Sequence, residues 1–203
     1  MKDILRAIFK IILPFYSRYS CFRKSNKNIP ISYFGFMKIM IFSKSTTYWY
    51  KHKSCTVANP RKIYVGVGCL IGNSGCYIQG AGTIYFGNYV RIARNVGILS
   101  SNHDLYDQNK YNNAPIKIGD YSWIGMNSVI TAGVELGPRT IVGAGSVVTK
   151  SFPEGYCVIA GTPAKVVKYL DKDKFVPWHY EEEWYGYLTK EEFEKNRKKY
   201  IDI

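Results

Sequence analysis

The sequence predicts an all-β protein: a parallel β-helix of hexapeptide repeats, with N-terminal and C-terminal helical decorations and one long excursion loop. Two observations predict it. From Ile118 to Pro153 an aliphatic residue recurs every six positions, at Ile118, Ile124, Ile130, Leu136, Val142 and Val148. Each is followed by a small residue (Gly119, Gly125, Thr131, Gly137, Gly143, Thr149), and two positions before each stands Ile116, Ser122, Ser128, Val134, Thr140 or Ser146, small or β-branched. A helix repeats at about 3.6 residues and a half-buried strand at about 2, so this period fits neither. It fits a short strand with one inward side chain, then a corner where a small residue avoids a clash. Three such edges close a triangular turn, and turns stack at roughly 4.8 Å.

Length and composition bound the rest. A chain of 203 residues supports one domain with a substantial core plus decoration. The five cysteines, Cys21, Cys55, Cys69, Cys76 and Cys157, are odd in number and lack CxxC spacing. That argues against a disulfide framework or a zinc ribbon and for a reducing, cytoplasmic compartment. No stretch reaches the roughly 20 apolar residues that span a bilayer. Residues 1–62 carry 13 Lys/Arg against one acid, Asp3, whereas residues 63–203 carry 15 against 14, so the net +13 sits almost wholly in the first third. Such a field suits an anionic membrane face, an acidic polymer or a nucleotide cofactor. No nucleic-acid-binding motif accompanies it, so nucleic acid is not an expected partner.

Taken in order, residues 1–58 form a basic N-terminal helical or capping segment. Ile4, Leu5, Ile8, Phe9, Ile12 and Leu13 recur at helical spacing, with Lys2, Arg6 and Lys10 between them and Pro14 ending the pattern. The interrupting charges argue against a cleaved signal peptide. The helix either lies peripherally on the inner face of a membrane or caps one end of the β-helix. A second apolar segment, Phe34 to Phe42, is expected on the same body.

Residues 59–170 hold the β-helix. Val65-Gly66 and Ile71-Gly72 open the repeat, which slips and resumes at Phe86-Gly87, Ile92-Ala93 and Ile98-Leu99. From Ile98 to Ile118 is 20 positions where one repeat needs six, so fourteen residues leave the coil. The excursion, about residues 103–115, is rich in Asp and Asn that cannot fill a β-helix interior, and long excursions are commonly functional. It starts at His103, whose unperturbed pKa near 6.5 suits a general base at neutral pH.

Residues 171–203 form a tail. Pro177-Trp178-His179-Tyr180 and Trp184-Tyr185 read as an aromatic, turn-rich stretch, and Thr189-Lys190-Glu191-Glu192 as a capping box opening a charged helix to about Tyr200. Both terminal segments are natural covers for the exposed sheet edges of a β-helix. His52 and His179 read as structural or surface residues.

Four strings then carry a family resemblance: Ser101-Asn102-His103-Asp104, Ile116 to Gly125, Val142 to Lys150, and Ala160 to Val167. Over about residues 59–170 the chain resembles the hexapeptide-repeat acetyltransferases with a left-handed β-helix, close to the galactoside, maltose and nodulation O-acetyltransferases, the xenobiotic acetyltransferases and the polysaccharide O-acetyltransferases. The left hand comes from this resemblance, since crossovers are ordinarily right-handed.

The resemblance implies transfer of an acetyl group from acetyl-CoA to a hydroxyl of a sugar, in a homotrimer whose active sites lie between neighbouring β-helices, with no metal required. His103 matches the general base. Asn73, 30 positions upstream, matches an acceptor-binding asparagine, and Asn102 is its companion beside the base. Trp123 matches an aromatic lining the coenzyme A groove. Ala144 and Gly145 match backbone positions along the pantetheine arm, and Thr149, Lys150, Lys165 and Lys168 match positions near the adenine and phosphates. Two features depart from the family: Gly80 or Ala81 stands where the sugar enzymes have an acidic acceptor ligand, and residues 1–58 do not resemble their N-terminal helical region.

Surface polysaccharide or lipopolysaccharide is the expected acceptor, given the basic first third. The competing expectations are an antibiotic acetyltransferase of the same fold, a non-catalytic β-helix scaffold, and a zinc enzyme needing three convergent histidines, which His52, His103 and His179 are too scattered to supply. Cys69, Cys76 and Cys157 have no basic neighbour in sequence, so direct transfer is expected over an acetyl-enzyme.

Overall fold

The computed structural model describes residues 16–27, 29–42 and 47–203. The body is a three-sided prism, a left-handed parallel β-helix of about five turns. The first face stacks Thr56–Ala58, Tyr77–Gln79, Gly97–Leu99, Val129–Ile130 and Val147–Val148 in parallel. The second stacks Ile63–Val65, Ile84–Phe86, Ile116–Ile118 and Glu135–Leu136. The third stacks Arg91–Ile92, Trp123–Ile124, Ile141–Val142 and Cys157–Gly161, and Ala164–Tyr169 then turns back antiparallel to close it.

The six-residue period appears as one inward column per face. Ile78, Ile98, Ile130 and Val148 line the first face, Val65, Phe86, Ile118 and Leu136 the second, and Ile92, Ile124, Val142 and Ile159 the third, none more than 2% exposed. The residues two positions earlier fill the corners. Ser122, Ser128, Thr140 and Ser146 are buried, and their hydroxyls donate to Gly137 O, Gly143 O, Gly137 O and Gly143 O at 3.3, 2.9, 2.8 and 2.7 Å. A buried hydroxyl without such a partner would be costly. The small residue that follows each aliphatic is equally constrained: a Cβ on Gly137 would sit 2.1 Å from Pro153 O of the next turn. The slip in the early repeats is an added length at two corners, since Ile71 to Ile78 spans seven positions and Ile78 to Phe86 eight.

The excursion is not the irregular, mobile loop that its composition suggests. It is an antiparallel hairpin of Ser101–His103 against Tyr111–Asn113, starting two residues before His103, with His103 opposite Tyr111. Polar side chains satisfy its turn, as set out below.

Two helices ahead of the prism and the tail behind it fold together at the first turn. Helices α1 (Tyr16–Ser25) and α2 (Tyr33–Phe42) face each other through Phe22 and Phe36, both fully buried with ring centroids 4.9 Å apart. Trp184 and Tyr187 of the tail complete that cluster, so α2 packs on α1 and the tail. Helix α3 (Lys190–Tyr200) starts on the expected capping box, Thr189 with Glu192. It buries Phe193 against Tyr185, with parallel rings 4.3 Å apart, and against Tyr48, whose hydroxyl donates to Val65 O at 3.0 Å. Arg18 grips the Glu192 carboxylate with both terminal nitrogens and joins α1 to α3. The basic pattern over Ile4 to Leu13 lies outside the described residues.

Two outcomes follow. Ile124→Ala empties one step of an inward column and is expected to cost about 2–5 kcal/mol, read by chemical denaturation. Arg18 holds the Glu192 carboxyl below the usual carboxylate range. A depressed pKa adds stability above the unfolded value of about 4.3 and loses it as pH falls further. Limited proteolysis of the α1–α3 cap is therefore expected to accelerate below about pH 4, and Arg18→Ala is expected to remove that pH dependence.

Candidate active site

A prism with filled edges leaves its chemistry to the corners, and the three corners differ. Where the second face passes to the third, four residues in the left-handed region are large, Tyr89, Tyr121, Arg139 and Tyr156, with φ between 45° and 59°, alongside Gly68 and Gly155. They hold the tail. After Tyr169 the chain runs back along this corner, with Arg139 over Phe175 at 4.8 Å, Tyr121 against Phe175 and Trp178, and Tyr89 against Trp178 and Tyr180. The Tyr121 hydroxyl donates to Trp178 O at 3.0 Å, and Gly68 N donates to Trp184 O at 3.2 Å as the strap reaches the first turn. This corner is sealed over much of its length.

Where the third face passes to the first, the left-handed positions are Gly75, Asn95, Asn127 and Gly145. Nothing lies within 4 Å of where a Gly145 Cβ would be. Ala144 is exposed beside it. Asn73 lies on this corner too, its side-chain amide donating to Ile92 O of the next turn. Trp123 stands on the adjoining third face, between Arg91 and Ile141, with its side chain turned out and 52% exposed. Lys165 pairs with Ala160 on the same face and is exposed. Lys168 lies further along that strand. It lines a cleft of about 300 Å³ with Arg139, Tyr156 and Lys174 at the end of the strap corner, away from the others.

The hairpin leaves from the corner between first and second faces. Thr149 and Lys150 occupy that same corner two turns on, both exposed. Asn102 and His103 are exposed on the hairpin. The His103 ring lies 4.6 Å from the Tyr111 ring, and its Nδ1 is 2.7 Å from Gln108 O. A carbonyl only accepts, so Nδ1 carries the hydrogen and Nε2 keeps its lone pair. Among the described residues Nε2 of this exposed ring has no hydrogen-bond partner.

Within one chain the predicted residues other than Lys168 fall into two groups on two corners: His103, Asn102, Thr149 and Lys150 on one, Asn73, Ala144 and Gly145 on the other with Trp123 and Lys165 beside them; Lys168 stands apart on the third. From its third turn on, the face between them shows small or aliphatic outward residues, Gly97, Leu99, Val129 and Val147, whereas the turn before carries Tyr77 and Gln79. Sequence reading missed the strap, whose signal was the run of Tyr and Arg at corner positions where the other corners carry Gly, Asn or, once, Thr83.

The four cysteines of the prism are poorly placed as nucleophiles. Cys55, Cys69, Cys76 and Cys157 are buried, and burial pushes the Cys55 thiol up to about 11 and Cys69 up to about 12. Among the described residues no group of three or more His, Cys, Asp and Glu is arranged to hold a metal ion, and no helix is long and apolar enough to cross a membrane.

Residues 115–150 match the family model described as bacterial transferase hexapeptide, six repeats. The prism is a hexapeptide-repeat β-helix. The chain is similar to a maltose O-acetyltransferase from Clostridium difficile 630, at 28% identity over 76% of this chain and 87% of that one, TM-score 0.56. It is equally similar to a hexapeptide-repeat acetyltransferase from Vibrio cholerae O1 biovar eltor solved with acetyl coenzyme A, at 28% identity over 63% and 73% of the two chains, TM-score 0.56. An N-acyltransferase variant from Bacillus cereus, solved with coenzyme A and dTDP-4-amino-4,6-dideoxyglucose, shares the fold at 18% identity over 62% and 83%, TM-score 0.52. No curated protein sequence matches the chain.

Trp178→Ala removes the strap ring that packs edge-on against the stacked Tyr89 and Tyr121 of the prism. It is expected to cost about 3–5 kcal/mol at most, less here because the ring is only partly buried, and to expose residues 171–183 to protease. Cys55 and Cys69 are expected to resist iodoacetamide at pH 8 in the folded protein, because raised pKa values keep both as thiols until pH approaches their shifted values; mass spectrometry of the alkylated chain reads this directly.

Proposed function

We propose that this protein is an acetyl-CoA-dependent O-acetyltransferase that modifies a sugar hydroxyl, with surface polysaccharide or lipopolysaccharide as the acceptor class. The observation that carries the reading is His103: an exposed imidazole with Nδ1 bound to Gln108 O and Nε2 free, on a hairpin at the edge of a hexapeptide-repeat prism. Similarity to acetyltransferases, one solved with acetyl coenzyme A, supports the donor.

In this reading His103 Nε2 takes the proton from the acceptor hydroxyl as its oxygen attacks the thioester carbonyl carbon of acetyl-CoA. The carbonyl becomes an oxyanion, which backbone N–H groups at the coil corners stabilise. Collapse breaks the carbon–sulfur bond, and the thiolate of coenzyme A recovers the proton from the imidazolium. A positioned base supplies roughly 10²–10⁴-fold, and alignment of the two substrates adds several kcal/mol. No enzyme thiol enters the sequence.

The acetyl-CoA arm lies along the open corner, where Ala144 and Gly145 leave the backbone bare, with Trp123 beside it. Thr149, Lys150 and Lys165 supply hydroxyl and ammonium groups toward the adenine and phosphates; Lys168, in the cleft beside Arg139 and Lys174, lies apart from them. Asn73 and Asn102 bind the acceptor. Because these residues occupy two corners of one prism, the reading requires the hairpin of one protomer to meet the open corner of the next, in a homotrimer. The small outward residues between the two corners suit that packing, and the sealed third corner is free to face outward.

Incubating the purified protein with acetyl-CoA and panels of sugars, oligosaccharides and antibiotics, with detection of a 42-dalton gain by mass spectrometry, tests the reading; the mass is that of any acetyl replacing a hydrogen and is approximate (about 42). Acetylation of sugars is the expected result, and kcat/KM for His103→Ala is expected to fall roughly 10²–10⁴-fold. Acetylation of antibiotics alone, or retention of activity in His103→Ala, overturns it.

A further inference from the structure

We infer that Asp104 is a positioning residue for His103: its carboxylate folds the hairpin turn that brings the Gln108 carbonyl to His103 Nδ1 and so fixes the imidazole in the tautomer a base needs. The inference rests on the reading of His103 as the general base.

The contacts form one closed unit. Asp104 Oδ1 accepts from Tyr106 N at 3.0 Å and from Asp107 N at 3.1 Å, and Oδ2 accepts from Asn112 Nδ2 across the hairpin at 3.2 Å. The backbone of Asp104 also donates to Lys110 O at 2.9 Å. One side chain thus gathers both the outgoing turn and the returning strand of residues 104–112. Gln108 sits at the far side of that turn, and its carbonyl reaches back to His103 Nδ1 at 2.7 Å. Tyr111, opposite His103 in the ladder, covers the ring.

Asp104 does not touch His103 by any of these bonds. It acts through the path of the backbone. Its amide partners favour the ionised carboxylate, so Tyr106 N, Asn112 and Asp107 N hold its pKa below the usual carboxylate range. The carboxylate therefore stays charged at neutral pH while the imidazole cycles. Replacing it with a neutral methyl removes three acceptor contacts from a turn whose neighbours Leu105 and Tyr106 are 89% and 97% exposed and add no packing of their own.

The chemistry explains why the turn matters. A free neutral imidazole exchanges its hydrogen between the two nitrogens. Only the form with hydrogen on Nδ1 leaves Nε2 able to take a proton from a hydroxyl. A carbonyl fixed beside Nδ1 selects that form, and a carbonyl that wanders does not.

The test pairs a spectroscopic readout with kinetics. Long-range nitrogen–proton NMR on 15N-histidine protein reports the tautomer, with His103→Ala used to assign the His103 signals. Wild type is expected to show hydrogen on Nδ1. Asp104→Ala is expected to show a mixture of the two forms, and to lower kcat roughly 10–100-fold while KM for acetyl-CoA stays within about twofold. Asp104→Asn keeps an oxygen for Tyr106 N and Asp107 N and is expected to recover part of both signals. Lys110→Ala removes only the exposed ion pair with Asp107 and is expected to change neither. An unchanged tautomer in Asp104→Ala overturns the inference whatever happens to kcat, and so does an unchanged kcat beside a shifted tautomer. If wild type transfers no acetyl group, the reading of His103 as a base fails, while the tautomer measurement still reports whether Asp104 sets the imidazole.

Discussion

One spacing governs this molecule: adjacent turns lie about 4.8 Å apart, the distance of parallel strand pairing. At that separation each edge has room for one inward aliphatic, and each corner for little more than backbone. Ile124 stacks on Ile92 and under Val142 because nothing larger closes the gap and nothing smaller fills it. Gly137 is fixed by the same distance, since its missing Cβ is the space that Pro153 O occupies. Interior side chains therefore carry almost no freedom to vary, and the chain's individuality is displaced to what points outward at the three corners.

Each corner resolves that demand differently. A left-handed backbone is inexpensive for Gly and tolerable for Asn, and costs roughly 1–2 kcal/mol for other residues. The open corner takes the inexpensive solution and gains accessible backbone. The strap corner takes the costly one at Tyr89, Tyr121, Arg139 and Tyr156. Stacking of these side chains on Phe175, Trp178 and Tyr180 offsets that cost, because aromatic pairs contribute about 0.5–1.5 kcal/mol beyond the area they bury. The hairpin corner takes left-handed residues at Asn59, Thr83 and Gly133 and in one turn lets the chain leave, so the polar residues of the hairpin stay out of the interior.

The prism was legible in the sequence because its constraint is one-dimensional: a period imposed by stacking leaves the same mark wherever it acts. Ile118 to Val148 carries that mark without a fault, and the capping box at Thr189 is local in the same way. The slip after Ile71 was visible as an interruption, but its form was not, since added corner residues and a lost repeat look alike in a string. The hairpin was read as a loop for a related reason. Its strands are held by one another and by Asp104, not by a hydrophobic face, so Asn102, Asn112 and Asn113 gave no alternation to detect. The strap was hidden because Tyr and Trp in a tail signal burial without saying against what. Of the proposed site, His103 was singled out by its position and Trp123 by resemblance. That Lys168 lies with Arg139 and Lys174 rather than with Lys150 is a three-dimensional fact that no sequence pattern announces.

The strap also bears on how the corners can be used together. A tail crossing the first or third face would cover Trp123 or the outward Val129 and Val147. By running along the corner that carries none of the predicted groups apart from Lys168, it leaves both of the others bare. It also ties the last turn to the cap over the first, since the same segment that leaves Tyr169 ends in α3, gripped by Arg18 and packed on Tyr48. The stack of turns is then clamped along its length by side chains outside the core. An excursion as long as the hairpin, which interrupts the stack between Leu99 and Ile116, is tolerable in such a prism, because continuity across the break is held by the neighbouring turns and by the strap. His103, the proposed base, is thus carried on an element that the spacing rule does not control, anchored to a body that follows it.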